Sequence, residues 1–323
     1  HEAVTGDLLG FRSNRLIAET AGWSPAALPS PATSIAVRHT VGMLDALTDD
    51  EVPASERVED GLPQSLEAVV AAYGVRRFKV KIGDDHAANA ARLRAIATVV
   101  GDRVEGKAVF TLDGNEQCED LEGLAGLLED LRRDPTTSPM IAHLGLIEQP
   151  LPRRDTFDES QRPGLERLGR IAPVIIDEAD ADLSAYPRAR ALGYGGVSMK
   201  ACKGVFRALL ARARIDADGE GVQSAEDLTN LPILPLHQDL AMVSALGLPH
   251  VERNGHHYFL GQAHLSEEER ERLQAAHGSL YSPAGKLRIE DGRLDLSSLA
   301  VPGFGYAGPI TMSVGEPVAE TPA

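Results

Sequence analysis

The chain has 323 residues, 43% of them hydrophobic, and a formal net charge of −16. That size suits one large α/β domain with an appended piece, and the negative charge works against nucleic acid and anionic membrane surfaces as partners. Cys118 and Cys202 stand far apart in unrelated contexts, and no apolar run reaches the ~20 residues that a bilayer-spanning helix needs, so a reducing cytoplasm is the expected setting.

Strand-like and helix-like runs alternate along the chain from Ser34 onward. Ser34–Arg38 reads as a first strand and 65–73 as a helix; Arg77–Ile82 is a second strand, followed by an Ala-rich amphipathic helix over 86–100. Ala108–Leu112 is a third strand, before a helix over 121–132. Leu144–Ile147 and Val174–Ile176 are wholly apolar, as strands covered on both faces should be. Gly196–Met199 is a sixth strand with a helix from Val205 to about 216, and Gly221–Ser224 and the stretch near 250–253 are weaker candidates for a seventh and eighth. This alternation predicts a parallel sheet closed into a (β/α) TIM-type barrel.

The ends read differently. Residues 1–33 are too short for a domain, and Pro29 and Pro31 mark a linker; the sequence begins at His1 rather than Met, as expected of a piece of a longer product. The barrel is expected over 34–261. A segment over 262–323 follows, with a charged helix at 266–276 and a hairpin over 287–296 turning at Asp291-Gly292, expected to pack back on the N-terminal piece.

Five strand ends carry charged groups: Lys79 and Lys81, Asp113 and Asn115, Glu148, Asp177-Glu178, and Ser198 with Lys200. Residues i and i+2 of a strand share a face, so Lys79 and Lys81 point together, as do Ser198, Lys200 and Cys202. Barrel active sites are built at the C-terminal ends of strands. Asp113, Glu148 and Asp177 come from successive strands, and three carboxylates cluster only around a cation. All-oxygen ligation points to Mg²⁺, with Mn²⁺ as an alternative. Glu178 is a competing ligand beside Asp177, which could instead cap a helix. Such a metal stabilises the charge that builds when a proton leaves the carbon next to a carboxylate. A lysine serves as base there only if neighbouring positive charge lowers its pKa.

The segments FKVKIG, LDGN, IEQPL, Asp-Glu after an apolar strand and SxK, in that order from about Ser34 to Phe259, resemble the enolase superfamily, in particular its muconate lactonizing enzyme subgroup. The resemblance implies Mg²⁺ on Asp113, Glu148 and Asp177, with Lys81 and Lys200 as acid/base groups on opposite faces of a small carboxylate. Lys79 would sit beside Lys81, with Asn115, Glu178 and Ser198 close to the ligands or the substrate. His39, Gln223 and Glu252 are weaker pocket candidates. Racemisation, epimerisation or cycloisomerisation through an enediolate is the implied activity, with sugar-acid dehydration or non-catalytic carboxylate binding as alternatives. Assembly into a homo-oligomer is also expected.

Departures from the pattern are a missing cap domain, an insertion near 132–142, and a seventh-strand region reading Val222-Gln223-Ser224-Ala225-Glu226-Asp227. His237, His250, His256 and His257 crowd the last two βα units, but a histidine base is disfavoured because Lys200 stands where the lysine subgroup has its own. Lys203 reads as a surface lysine and Cys202 as small barrel packing.

Overall fold

In the computed structural model, residues 23–104, 107–262, 264–301 and 305–308 are described. Strands and helices alternate as β1 (Ser34–Val41), α1 (Leu66–Tyr73), β2 (Arg77–Lys81), α2 (His86–Gly101), β3 (Val109–Asp113), α3 (Leu121–Arg133), α4 (Ser138–Ala142) and β4 (Leu144–Glu148). They continue as α5 (Arg162–Gly169), β5 (Val174–Ile176), α6 (Ala185–Leu192), β6 (Gly196–Met199), α7 (Val205–Asp218), β7 (Val222–Ala225), α8 (Leu234–Ala245), β8 (His250–Arg253), α9 (Glu267–His277) and β9 (Arg293–Asp295). Strands β1 to β8 pair in parallel in chain order, and β1 pairs with both β2 and β8, closing the barrel.

Local chemistry explains where the helices start. The Ser65 hydroxyl accepts from Ala68 N ahead of α1, Asp85 from Ala87 N and Ala88 N ahead of α2, and Asp120 from Gly123 N ahead of α3. Ser266 and Glu269 form a reciprocal capping box at α9. The 132–142 insertion folds as α4, anchored by buried Met140 and Ile141 and by the Thr137 hydroxyl, which donates to Leu131 O at 2.6 Å.

The apolar core lies between the strands and the helices; Val37, Phe78, Leu112, Ile147, Val197 and Val251 are all fully buried on that side. The opposite face of the strands is polar. Arg38 from β1 donates to Ser224 Oγ of β7 at 2.9 Å, and Thr40 donates to Glu252 Oε1 at 2.7 Å.

The expected hairpin over 287–296 is only partly present. Asp291 and Gly292 do turn the chain, with positive φ at both, but a single bridge, Glu290 to Arg293, joins the two arms. β9 instead runs antiparallel to Ser34–Ala36 of β1. Residues 34 and 35 of β1 start below its pairings with β2 and β8, leaving a free edge that β9 fills. Leu294 and Leu296 are buried there. Residues 1–22 and 302–304 lie outside the described residues.

Candidate active site

Register sets the charged strand ends side by side. Lys81 pairs with Asp113 and Asp113 with Glu148, while Glu148 pairs with Ile175, two residues before Asp177. Lys81 Nζ lies 2.6 Å from Asp113 Oδ2. Across the ring, Lys200 and the Ser198 hydroxyl both donate to Asp177. Burial opposes the Asp177 charge, but Lys203 and Lys200 outweigh it and lower its pKa to about 2. Burial likewise opposes the Lys200 ammonium, and Asp177 overcomes it, raising the lysine pKa above its usual range. β2 and β6 are four strands apart in the closed ring, so Lys81 and Lys200 approach its mouth from opposite sides.

Lys79 sits deeper. It is 2% exposed, with Nζ 2.9 Å from Asp113 Oδ2, 2.7 Å from Glu148 Oε2, 2.5 Å from Glu226 Oε2 and 3.1 Å from Glu252 Oε2. Burial works against its charge, yet Glu148, Glu226, Glu252 and Asp113 together raise its pKa well above normal. Glu226 also accepts from Arg38 at 2.5 Å; burial pushes its pKa up, but Arg38 and Lys79 hold it well below the usual range. Glu148 and Glu252 go the other way, raised by burial and by neighbouring carboxylates.

A hard divalent cation fits this end of the barrel. Both oxygens of Glu148 are buried and make no hydrogen bond among the described residues; the contact to Lys79 is an ion pair without hydrogen-bond geometry. Asp113 and Asp177 supply carboxylates on the strand ends to either side. Glu178 Oε2 is a further buried oxygen without a partner, while Oε1 accepts from Asn115 Nδ2 at 3.1 Å. Oxygen donors of this kind suit Mg²⁺.

Two residues of the LDGN and IEQP segments build the frame. A Cβ on Gly114 would come within 2.6 Å of Pro150 Cα, so only glycine lets the ends of β3 and β4 approach this closely. The fully buried Gln149 side chain accepts from Asp177 N at 2.8 Å and Ala179 N at 3.1 Å. Its amide nitrogen donates to Leu151 O and Thr156 Oγ1. Asp177 is thus positioned by a neighbouring strand.

Of the sequence candidates, Lys79, Lys81, Asp113, Glu148 and Glu252 come together around Lys79, and Asp177, Ser198 and Lys200 around Asp177. Gln223 and His39 do not join them. Gln223 donates to Ala208 O on α7 at 2.9 Å, towards the helices, because Ser224 takes the inward position of β7. His39 falls between inward-facing Arg38 and Thr40 and packs against His256 and His257. His237 is held by Gly305 O and Tyr281 Oη, and His250 by Arg38.

Two expectations need correction, and two further residues join the site. Lys203 is no surface lysine: a 3₁₀ turn over Ala201–Lys203 brings it back beside Lys200, with Nζ 2.9 Å from Asp177 Oδ1 and 3.3 Å from Asp180 Oδ2. The same turn leaves Cys202 exposed rather than packed, since β6 ends at Met199. Glu226 and Arg38 were not singled out at all. Their signal was the i+2 alternation, which puts Arg38 with Thr40 and Ser224 with Glu226 on the inner face.

Elsewhere, one ring nitrogen each from His39, His256 and His257 lie within 4.8 Å of one another, close enough to hold one divalent cation.

No protein-family model matches the chain, and no curated protein matches it. Solved structures do. A mandelate racemase/muconate lactonizing enzyme from Roseiflexus sp. is 23% identical over 71% of this chain and 58% of its own, with a TM-score of 0.52. A mandelate racemase/muconate lactonizing protein from Herpetosiphon aurantiacus is 21% identical over 82% and 64%, with a TM-score of 0.53. The 3,6-anhydro-D-galactonate cycloisomerase from Zobellia galactanivorans is 14% identical over 83% and 62%, with a TM-score of 0.51. The chain therefore has the barrel fold of these proteins and spans less than two thirds of the length of each. No helix among the described residues is long and apolar enough to cross a membrane.

Proposed function

We propose that the chain belongs to the enolase superfamily, of the muconate lactonizing kind, and removes the α-proton of a small carboxylate substrate with the help of Mg²⁺. The observation that carries this reading is the placement of Lys81 and Lys200 on opposite strands, each ion-paired to an outer member of the Asp113–Glu148–Asp177 row. Asp113, Glu148 and Asp177 would hold the metal. Its charge, when bound, would lower the cost of developing negative charge on the substrate carboxylate.

The chain's own groups divide the remaining work. Lys81 and Lys200 are partly exposed and reach the mouth, whereas Lys79 is walled in and neutralises the carboxylates beneath. A lysine accepts a proton only when uncharged, and Asp177 holds Lys200 charged. Lys200 is therefore the proton donor until the charge of Asp177 is engaged by a ligand. Bases on two faces favour racemisation or epimerisation; cycloisomerisation and dehydration share the first step and differ in where the second lysine delivers its proton. The 3,6-anhydro-D-galactonate cycloisomerase is a structural neighbour with one of these outcomes in its name.

The test is α-proton exchange in D₂O on a pooled carboxylate library, with and without Mg²⁺. The expected result is Mg²⁺-dependent exchange, lost in Lys81→Ala, in Lys200→Ala, or in each for one enantiomer. A binding-only role has one observation in its favour, the neutralisation of both lysines by carboxylates. Calorimetric binding of carboxylates by a protein that exchanges none of them would replace the catalytic reading with that one.

A further inference from the structure

On the outer side of the barrel, away from the lysines and carboxylates, His39, His256 and His257 form a compact group. Their ring centroids are 5.0, 4.7 and 5.1 Å apart, all in edge-on contact. They are 2%, 8% and 5% exposed. His39 comes from β1, and the other two from the turn that follows β8. That turn folds over the end of β1 because Arg253 pairs with His39.

Hydrogen bonding leaves this group unfinished. His39 Nδ1, His256 Nε2 and His257 Nδ1 are buried without a hydrogen-bond partner among the described residues. His256 Nδ1 lies 2.9 Å from Arg253 O. A carbonyl can only accept, so Nδ1 carries the proton and Nε2 keeps a free lone pair. This is how backbone carbonyls commonly fix a metal-binding imidazole in its ligating tautomer. Buried polar atoms are almost always paired, and the three rings each offer a nitrogen within 4.8 Å of the others, which one cation would satisfy together. Asp45 adds negative charge nearby, close enough to favour a proton on His257 against the burial that disfavours it.

We infer that His39, His256 and His257 form a transition-metal site, of the Zn²⁺ class, separate from the carboxylate row and clasping the turn after β8 onto β1. Neutral imidazole nitrogens suit Zn²⁺, Co²⁺ or Ni²⁺, whereas Mg²⁺ prefers oxygen. The two sites should therefore sort metals by donor type. With three protein ligands, one coordination position remains for water.

The test uses the full chain without a histidine tag, cleared of metal and titrated calorimetrically with Zn²⁺ in the presence of excess Mg²⁺. One Zn²⁺ per chain is expected, undiminished by Mg²⁺ and retained in Glu148→Gln. His257→Gln should weaken it by more than the roughly 10–100-fold that hydrogen-bond partners of ligands contribute. X-ray absorption on the Zn²⁺-loaded wild type needs no variant and should count three imidazole nitrogens at about 2.0–2.1 Å. No Zn²⁺ uptake, an oxygen-only environment, or loss of uptake in Glu148→Gln with the His257 variant unaffected would each overturn the assignment.

Discussion

Lys79 carries one positive charge into contact with four carboxylates, and its position explains why the inner face of this barrel can be charged at all. Arg38 and Lys79 offset Glu226 and Asp113, which stay ionised, while burial favours the protonated forms of Glu148 and Glu252. Removing the ammonium leaves several buried carboxylates without a counter-charge. Lys79→Met should therefore cost on the order of 3–5 kcal/mol of stability in urea titrations at neutral pH. The loss should shrink as pH falls, because the stranded carboxyls can then take up protons. A loss that stays constant down to pH 5 would mean that the packing of the replacement side chain, rather than the lost charge, sets the cost.

Between elements, β3 and β4 approach closely at their C-terminal ends, and glycine permits it. Gly114→Ala would push a methyl group into the backbone of Pro150; a cost of about 1–3 kcal/mol by thermal or urea unfolding is expected. A variant as stable as wild type would mean that the two strand ends can part freely. Much of this geometry could be read from the residues. The six apolar or alternating strands from β1 to β6 stand within one to three residues of their sequence positions, because each is a short apolar run bounded by a helix cap or a glycine. Asp113, Glu148 and Asp177 were legible since a strand end fixes which way its last side chain points. Lys203 was not, because its place just ahead of a helix points to the surface, whereas a 3₁₀ turn rotates the chain after β6 and returns it to Asp177. Gln223 and His39 were misplaced for a related reason: inward and outward positions alternate, and an error of one residue selects the wrong face.

For the molecule as a whole, the charged interior makes stability a function of pH. Asp239 on α8 is 1% exposed, and burial, opposed by Arg253, raises its pKa to about 7. The folded state then holds this proton more tightly than the unfolded chain does, where a carboxyl titrates near 3.9. The resulting stability is fully present below about pH 4 and is lost as pH rises to about 7. Asp239→Asn should remove that part of the slope, gaining roughly 2–4 kcal/mol relative to wild type near pH 8 and little near pH 4. Urea titrations across this range measure it, and parallel pH profiles for the two proteins would show that Asp239 ionises normally.

β1 serves both sides of the barrel wall. Arg38 and Thr40 face the charged interior, and His39 between them faces the imidazole group outside. This parity makes the strand far less tolerant of an inserted or deleted residue than of a substitution. A frame change of one position would carry the imidazole in among the carboxylates and the guanidinium out among the histidines. In a library of single-codon insertions and deletions, positions 35–39 should therefore be the most depleted of any strand, even where the hydrophobic content is unchanged.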